Sequence, residues 1–282
     1  MLVMKRIITL IISLLFVSLI SVSADASALM PDEDINLALI YHRLTEDENM
    51  RDSYTITVED FENDIKYLLA NDYTFCTASE FDEMIKKGDN TKKYVAVTFD
   101  DGYSSDYWLV LPVLEKYKVK ATFYIVGSFL DKPYYMTQKQ VATLSKSPYA
   151  EIGNHTYSIH SLSPSELNNM YTVRPDAAIE DYRKNSDFLE KLTGKGIKTV
   201  AYPYGVYGNY LNHILCSDGL ITFSSKEQAA SVSSSPYPRL NRPYDLDVES
   251  IINRHTKKLP DFYALNNIFR STPSDDFNYI QN

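Results

Sequence analysis

Short apolar runs alternate with stretches of helical period along most of the chain. β-like runs occupy Leu37–Tyr41, Tyr73–Cys76, Tyr94–Phe99, Ala121–Val126, Glu151–Gly153, Thr199–Tyr202 and Leu220–Phe223. Between the first two, Thr57 opens a helix that puts Phe61, Ile65, Leu68 and Leu69 on one face. Thr77 with Glu80, and Thr137 with Gln140, have the spacing of capping boxes, in which each side chain satisfies an orphan N–H of the other's turn. Gly88 ends the first of these two helices. Ser104 to Tyr117 reads as a further helix in which Pro112, lacking an N–H, forces a kink or a late start. Pro175 to Leu192 makes a long helix stopped by Gly194, and Asn209 is placed to cap a short one reaching Cys216. About seven β/α units in succession predict a parallel sheet, either closed as a barrel or open and doubly wound. Ser231–Pro238 reads as a loop.

The ends of the chain have a different pattern. Lys5 and Arg6 precede an apolar run from Ile7 to Val22, followed by the small residues Ser23 to Ala28. That order predicts a secretory signal peptide over residues 1–28, with an uncleaved anchor as the alternative. Either way the rest of the chain is expected to work outside the cytoplasm. The polar tail at 259–282 reads as an appendage, which leaves one domain over 36–258. A formal charge of −9 without a basic cluster argues against nucleic acid or anionic lipid as a partner. Membrane contact is then expected only if the leader is retained, and the protein is expected to be a monomer. Two cysteines, Cys76 and Cys216, are too few for a disulfide framework and allow one bridge or two thiols. The 23 tyrosines suit a wet core boundary as well as a sugar-binding cleft.

In parallel α/β folds, sites collect at the C-terminal ends of strands. Four predicted strand ends carry polar groups: Tyr41-His42, Asp100-Asp101-Gly102, Asn154-His155 and Pro203-Tyr204-Gly205. Adjacent carboxylates after a buried strand are unfavourable unless a cation holds at least one of them, although Asp-Gly is also an ordinary turn. His155 and His160 stand five apart, about 140° around a helix, so they cannot share one helical face. A strand end running into an irregular turn can still bring both imidazoles together. With Asp101 they would form a three-ligand set suited to a first-row metal, leaving a position open for water.

Thr98-Phe99-Asp100-Asp101-Gly102, the pair beginning at His155-Thr156, and Pro203-Tyr204-Gly205 together resemble three ordered motifs of the polysaccharide deacetylase family. The resemblance implies a distorted (β/α) barrel of about seven parallel strands and metal-dependent removal of acetyl groups from glycans. Carried onto this sequence, it implies Asp100 as base and Asp101, His155 and His160 as ligands of one divalent ion: zinc, cobalt, nickel or iron. It also implies that Tyr204 and Gly205 support the oxyanion. Ile40-Tyr41-His42-Arg43 resembles a first strand that aims His42 at the barrel top, and Pro238-Arg239-Leu240 a late strand whose Arg lies near the site.

The chain departs from the commonest family pattern in three places. Ile159 stands where the second histidine usually falls, and His160 follows it, a spacing similar to that of the branch acting on poly-β-1,6-linked N-acetylglucosamine. Ala201 stands where the family often has an arginine, and no general-acid motif is evident. His213 and His255 read as structural or solvated helix residues. Tyr103, Tyr157 and Tyr202 are candidates for stacking on sugar faces or for core packing. The expected function is therefore removal of N-acetyl groups from an acetylated polysaccharide, most like poly-N-acetylglucosamine. The alternatives are peptidoglycan, chitin oligomers or acetylated xylan as substrate, or a weakly active glycan-binding protein.

Overall fold

The computed structural model describes residues 36–88, 91–225 and 234–256. The expected leader at 1–28 and appendage at 259–282 lie outside the described residues. In chain order the first elements are β1 (Leu37–Tyr41), β2 (Arg43–Thr45), β3 (Thr55–Thr57), α1 (Val58–Ala70), β4 (Tyr73–Cys76) and α2 (Ala78–Lys87). There follow β5 (Lys93–Phe99), α3 (Leu111–Tyr117), β6 (Ala121–Ile125), α4 (Gln138–Leu144), β7 (Ala150–Asn154) and α5 (Pro164–Val173). The last are α6 (Pro175–Thr193), β8 (Thr199–Ala201), α7 (Asn209–Ser217), β9 (Ile221–Ser225), β10 (Tyr237–Asn241) and α8 (Val248–Thr256).

Seven of the strands close into a parallel barrel. Neighbours run β1–β5–β6–β7–β8–β9–β10, and β10 pairs back onto β1 with Leu240 beside Leu39. Closure rests on β1, which also pairs with β5 from Leu37–Val95 to Tyr41–Phe99. This decides between the two sheets that periodicity left open. The membership differs from expectation in one strand. β4 pairs only with the N-terminal half of β5 and stands outside the ring, and β10 takes the seventh place. Pro238 and Arg239 hide β10 from periodicity, because a proline and a charge inside an apolar run argue against a central strand, but the strand lies where the resemblance implied one. The loop expected at Ser231–Pro238 accordingly gives way to strand from Tyr237 onward. A parallel barrel buries both faces of its strands, so β5 is buried from Tyr94 to Phe99 without polar alternation.

The helices start where their caps predict. Thr57 with Asp60, Thr77 with Glu80, and Thr137 with Gln140 all form reciprocal capping boxes, and Gly88 and Gly194 take left-handed C-cap conformations. α5 was not expected, although Ser163 and Glu166 form the same box at its start. α7 is capped by Gly208, and Asn209 is its first residue rather than its cap. On α1 the buried face is Phe61, Asp64, Ile65 and Leu68, while Leu69 is exposed, so a carboxylate occupies a place that the pattern assigned to leucine. The helix from Ser104 widens into a π turn over Asp106–Val110, with Leu111 N–H bonded to Asp106 C=O, before α3 begins. The wider turn accommodates Pro112, which has no N–H to offer and whose ring crowds the preceding carbonyls. Cys76 and Cys216 are both free thiols, Cys76 buried in β4 and Cys216 exposed on α7. No helix among the described residues is long and apolar enough to cross a membrane.

Candidate metal centre

Because all ring strands are parallel, their C-terminal ends share one rim, and five of them supply the site. β1 leads into His42, β5 into Asp100 and Asp101, β7 into His155, and β8 into Tyr204 and Gly205, while Arg239 lies within β10. All eight residues expected from the sequence, His160 included, line one cavity of about 440 Å³. A larger surface groove, about 850 Å³ beside α6, contains none of them.

The local backbone explains how the carboxylates are presented. Asp100 N–H bonds to Tyr41 C=O at 3.0 Å, continuing the β1–β5 ladder to the rim. Asp101 and Gly102 then both take positive φ, 76° and 81°, which turns the chain sharply out of the strand. A side chain at Gly102 would also press on Ile125 Cδ1, 3.1 Å from the position of its Cβ. Gly205, at φ 70°, sits so close to Ser225 that a Cβ would lie 2.7 Å from that residue's backbone nitrogen.

Asp101, His155 and His160 converge with ligand atoms all within 4.8 Å of one another. Asp101 Oδ1 is buried, 3.0 Å from His160 Nε2 and 3.6 Å from His155 Nε2, without a well-aligned hydrogen bond to either. The Nδ1–H of His155 donates to Ala201 C=O at 2.8 Å, which leaves the Nε2 lone pair facing the cluster. Burial pushes the His155 imidazole down to about 4, against the pull of the nearby Asp100 charge, so the ring is neutral as a ligand must be. Burial would raise the Asp101 carboxyl, but the close His160 imidazole, 3.0 Å away, outweighs it and holds the carboxyl below the usual range. One anionic oxygen and two imidazole nitrogens, buried and aimed at a common point, fit a first-row divalent ion. The expected set is thus assembled despite the five-residue step, with Ile159 buried in the apolar cluster of α5, α6 and α7.

Asp100 belongs to a different subset. Its two oxygens accept from Arg239 Nη1 and Nη2 at 2.7 and 2.8 Å, a bidentate pair in which Arg239 is 1% exposed. Nη1 of Arg239 also donates to Thr98 Oγ1 at 2.9 Å, and the guanidinium lies over the Tyr124 ring. Burial alone would raise Asp100, but the Arg239 charge outweighs it and, with His155, holds the carboxyl well below the ordinary range. Ala201 left the sequence without its expected arginine. The structure supplies a guanidinium from β10 instead.

The other expected residues divide. His42 is half-buried at the cavity wall, its ring edge-on to Tyr54. Tyr204 is 51% exposed, with φ 55°, and its hydroxyl donates to His160 C=O at 3.1 Å. Of the three candidate stacking rings, Tyr103 and Tyr202 both line the cavity, but only Tyr103 is partly exposed there, where it stacks on Tyr135. Tyr202 is fully buried between Tyr182 and Tyr207, and Tyr157 lies under Lys184 in the outer groove, so neither is placed to receive a sugar. His213 is exposed on α7 and His255 bonds to Ile251 C=O on α8, both outside the cavity. Sequence reasoning missed Tyr54, which lines the cavity from the β2–β3 connection without any periodic or motif signal.

A parallel barrel with paired carboxylates and two histidines at its C-terminal rim has the donor set that metal-assisted hydrolysis requires. The sequence profile described as polysaccharide deacetylase matches residues 87–222 of this chain. Among curated proteins, the poly-beta-1,6-N-acetyl-D-glucosamine N-deacetylase of Staphylococcus aureus is 29% identical over 228 residues, covering 74% of this chain and 79% of that protein. Among solved structures, IcaB from Ammonifex degensii superposes with a TM-score of 0.67 at 24% identity, over 75% of this chain and 93% of that one. The Streptococcus pyogenes deacetylase PplD, solved with acetate, gives 0.65 at 19% identity over 78% and 97%. These matches support an enzyme of the deacetylase hydrolase type.

Proposed function

We propose that this protein is a polysaccharide deacetylase that removes N-acetyl groups from poly-β-1,6-linked N-acetylglucosamine outside the cytoplasm, that it depends on a divalent metal, and that residues 1–28 are its export leader. The observation that carries the chemistry is the buried convergence of Asp101, His155 and His160 beside the separately held Asp100. The substrate follows from the five-residue histidine step and from the Staphylococcus aureus relative of matching name.

Asp101, His155 and His160 would hold the ion. Held there, such an ion would supply Lewis-acid polarisation of the acetyl carbonyl and of the attacking water. Asp100, kept ionised by Arg239, takes the proton from that water. The backbone N–H of Tyr204 supports the developing oxyanion, with Gly205 allowing the tight approach to β9. His42 is the one imidazole among the cavity-lining residues outside the ligand cluster, and it is assigned the transfer of a proton to the departing amine.

Acetate release from defined β-1,6 and β-1,4 N-acetylglucosamine oligomers tests this reading. Wild-type protein is expected to prefer β-1,6 oligomers. Asp100→Asn is expected to lose roughly 10²–10⁴-fold in kcat at unchanged metal content, as for a general base. His160→Ala is expected to lose bound metal. Release only from β-1,4 oligomers would overturn the substrate, and undiminished metal in His160→Ala would remove that residue from the ligand set.

A further inference from the structure

The turn between the two histidines has an unusual conformation, and its support comes from a helix that contributes nothing to the cavity. Thr156, a β-branched residue, stands at φ +74°, a region such side chains rarely enter. Left free, a strand end followed by Thr-Tyr-Ser-Ile would have no reason to fold back so that His160 Nε2 comes to 3.0 Å from Asp101.

Three sets of contacts hold it, and two come from one face of α6. Asp181 Oδ1 accepts from Tyr157 N–H at 2.7 Å and from Ser158 N–H at 3.2 Å. Its Oδ2 accepts from Ser158 N–H at 3.1 Å and Ser158 Oγ–H at 2.7 Å. One turn further along α6, Asn185 Nδ2 donates to Asn154 Oδ1 and to Ile125 C=O, both at 2.9 Å. Asn154 Oδ1 in turn accepts from Thr156 N–H at 2.8 Å. From the opposite side, the N–H groups of Gly127 and Ser128 donate to the carbonyls of Thr156 and Tyr157. Asp181 is therefore a largely buried carboxylate whose hydrogen-bond donors among the described residues all belong to the segment joining His155 to His160.

We propose that Asp181 is a positioning residue for the metal centre, its carboxylate fixing the Tyr157–Ser158 backbone so that His160 meets His155 and Asp101. A carboxylate that accepts backbone N–H groups at fixed angles sets the path of the chain more tightly than packing can. The inference rests on reading Asp101, His155 and His160 as ligands, and it extends that reading to a residue 21 positions beyond His160 on a separate helix.

The test is Zn²⁺ and Co²⁺ affinity of metal-stripped full-length protein, measured by competition with a chromogenic chelator, alongside thermal unfolding. Asp181→Ala is expected to weaken binding about 10–100-fold, the usual effect of removing a group that orients a ligand. Asp181→Asn, which keeps one acceptor, is expected to fall between Ala and wild type. Ser158→Ala removes one of the four contacts without touching the helix and is expected to weaken binding less. Asp187→Ala, on the exposed side of α6, is expected to leave affinity unchanged. If Asp181→Ala and Ser158→Ala both bind metal like wild type, the positioning role is overturned, even if they melt lower. A wild-type protein that binds no better than His160→Ala would instead overturn the ligand set on which the inference rests.

Discussion

At the scale of single residues, charge inside the barrel is tolerated only in fixed pairs. The Arg239 fork on Asp100 is such a pair, and it does two jobs that a lysine cannot do together: it neutralises the buried carboxylate and fixes both of its oxygens. Arg239→Lys is expected to keep the fold and the metal but lower kcat about tenfold or more, measured by acetate release. Arg239→Leu strands the Asp100 charge and is expected to cost about 3–5 kcal/mol in chemical denaturation. Asp106 presents the opposite case. Both of its oxygens are fully buried without hydrogen-bond partners, and burial, then the Asp101 charge, raise its carboxyl well above the ordinary range. Such a group binds more protons folded than unfolded between its unfolded pKa of about 3.9 and its raised folded value. Stability from this residue is therefore full below that window and is lost as pH rises through it. Asp106→Asn, which mimics the neutral acid, is expected to raise the melting temperature at pH 7 and flatten its decline from acid to neutral pH. An unchanged pH slope would show that Asp106 is ionised in the fold.

At the scale of elements, closure of the ring depends on how β10 and α8 are tied back to α1. Asp64 of α1 accepts from Arg242 Nε at 2.7 Å, from Tyr41 Oη at 3.1 Å and from Val248 N–H at 3.3 Å. One carboxylate thus joins the end of β1, the residue after β10 and the start of α8. This latch lies apart from the cavity, so it is expected to govern stability rather than catalysis. Asp64→Ala, leaving Arg242 buried and unpaired, is expected to cost about 3–5 kcal/mol in urea unfolding. The double change Asp64→Leu with Arg242→Met, which removes both charges, is expected to cost less than that single change. Additive losses would contradict a paired latch.

At the scale of the whole molecule, net charge bears on the proposed substrate. Each deacetylation turns a neutral amide into a cationic amine, while the chain carries −9. Partly deacetylated oligomers should therefore be drawn to the protein at low ionic strength, where screening extends over roughly 30 Å at 0.01 M but only about 3 Å at 1 M. KM for such oligomers is expected to rise with salt, while KM for fully acetylated oligomers stays nearly constant. Parallel salt dependence in steady-state assays of the two substrates would show that charge has no part in their binding.

Much of this architecture was legible along the chain, because strand and helix starts are local events. Apolar runs marked six of the seven ring strands, Thr and Gly marked most helix ends, and several candidate site residues stood out as polar groups at strand ends. The rest depended on contacts remote in sequence. Periodicity does not mark Tyr237–Asn241 as a strand, and only the resemblance placed a late strand and Arg239 near the site; β1 and β9 flank that strand, and Arg239 meets Asp100 139 positions away. The five-residue step from His155 to His160 argued against a helix by itself. Only the tertiary fold, through Asp181 and Asn185 on α6, decided that the step ends with both imidazoles on one point. Periodicity records what each segment buries, whereas a hydrogen bond across 20 or 140 residues leaves no trace in spacing.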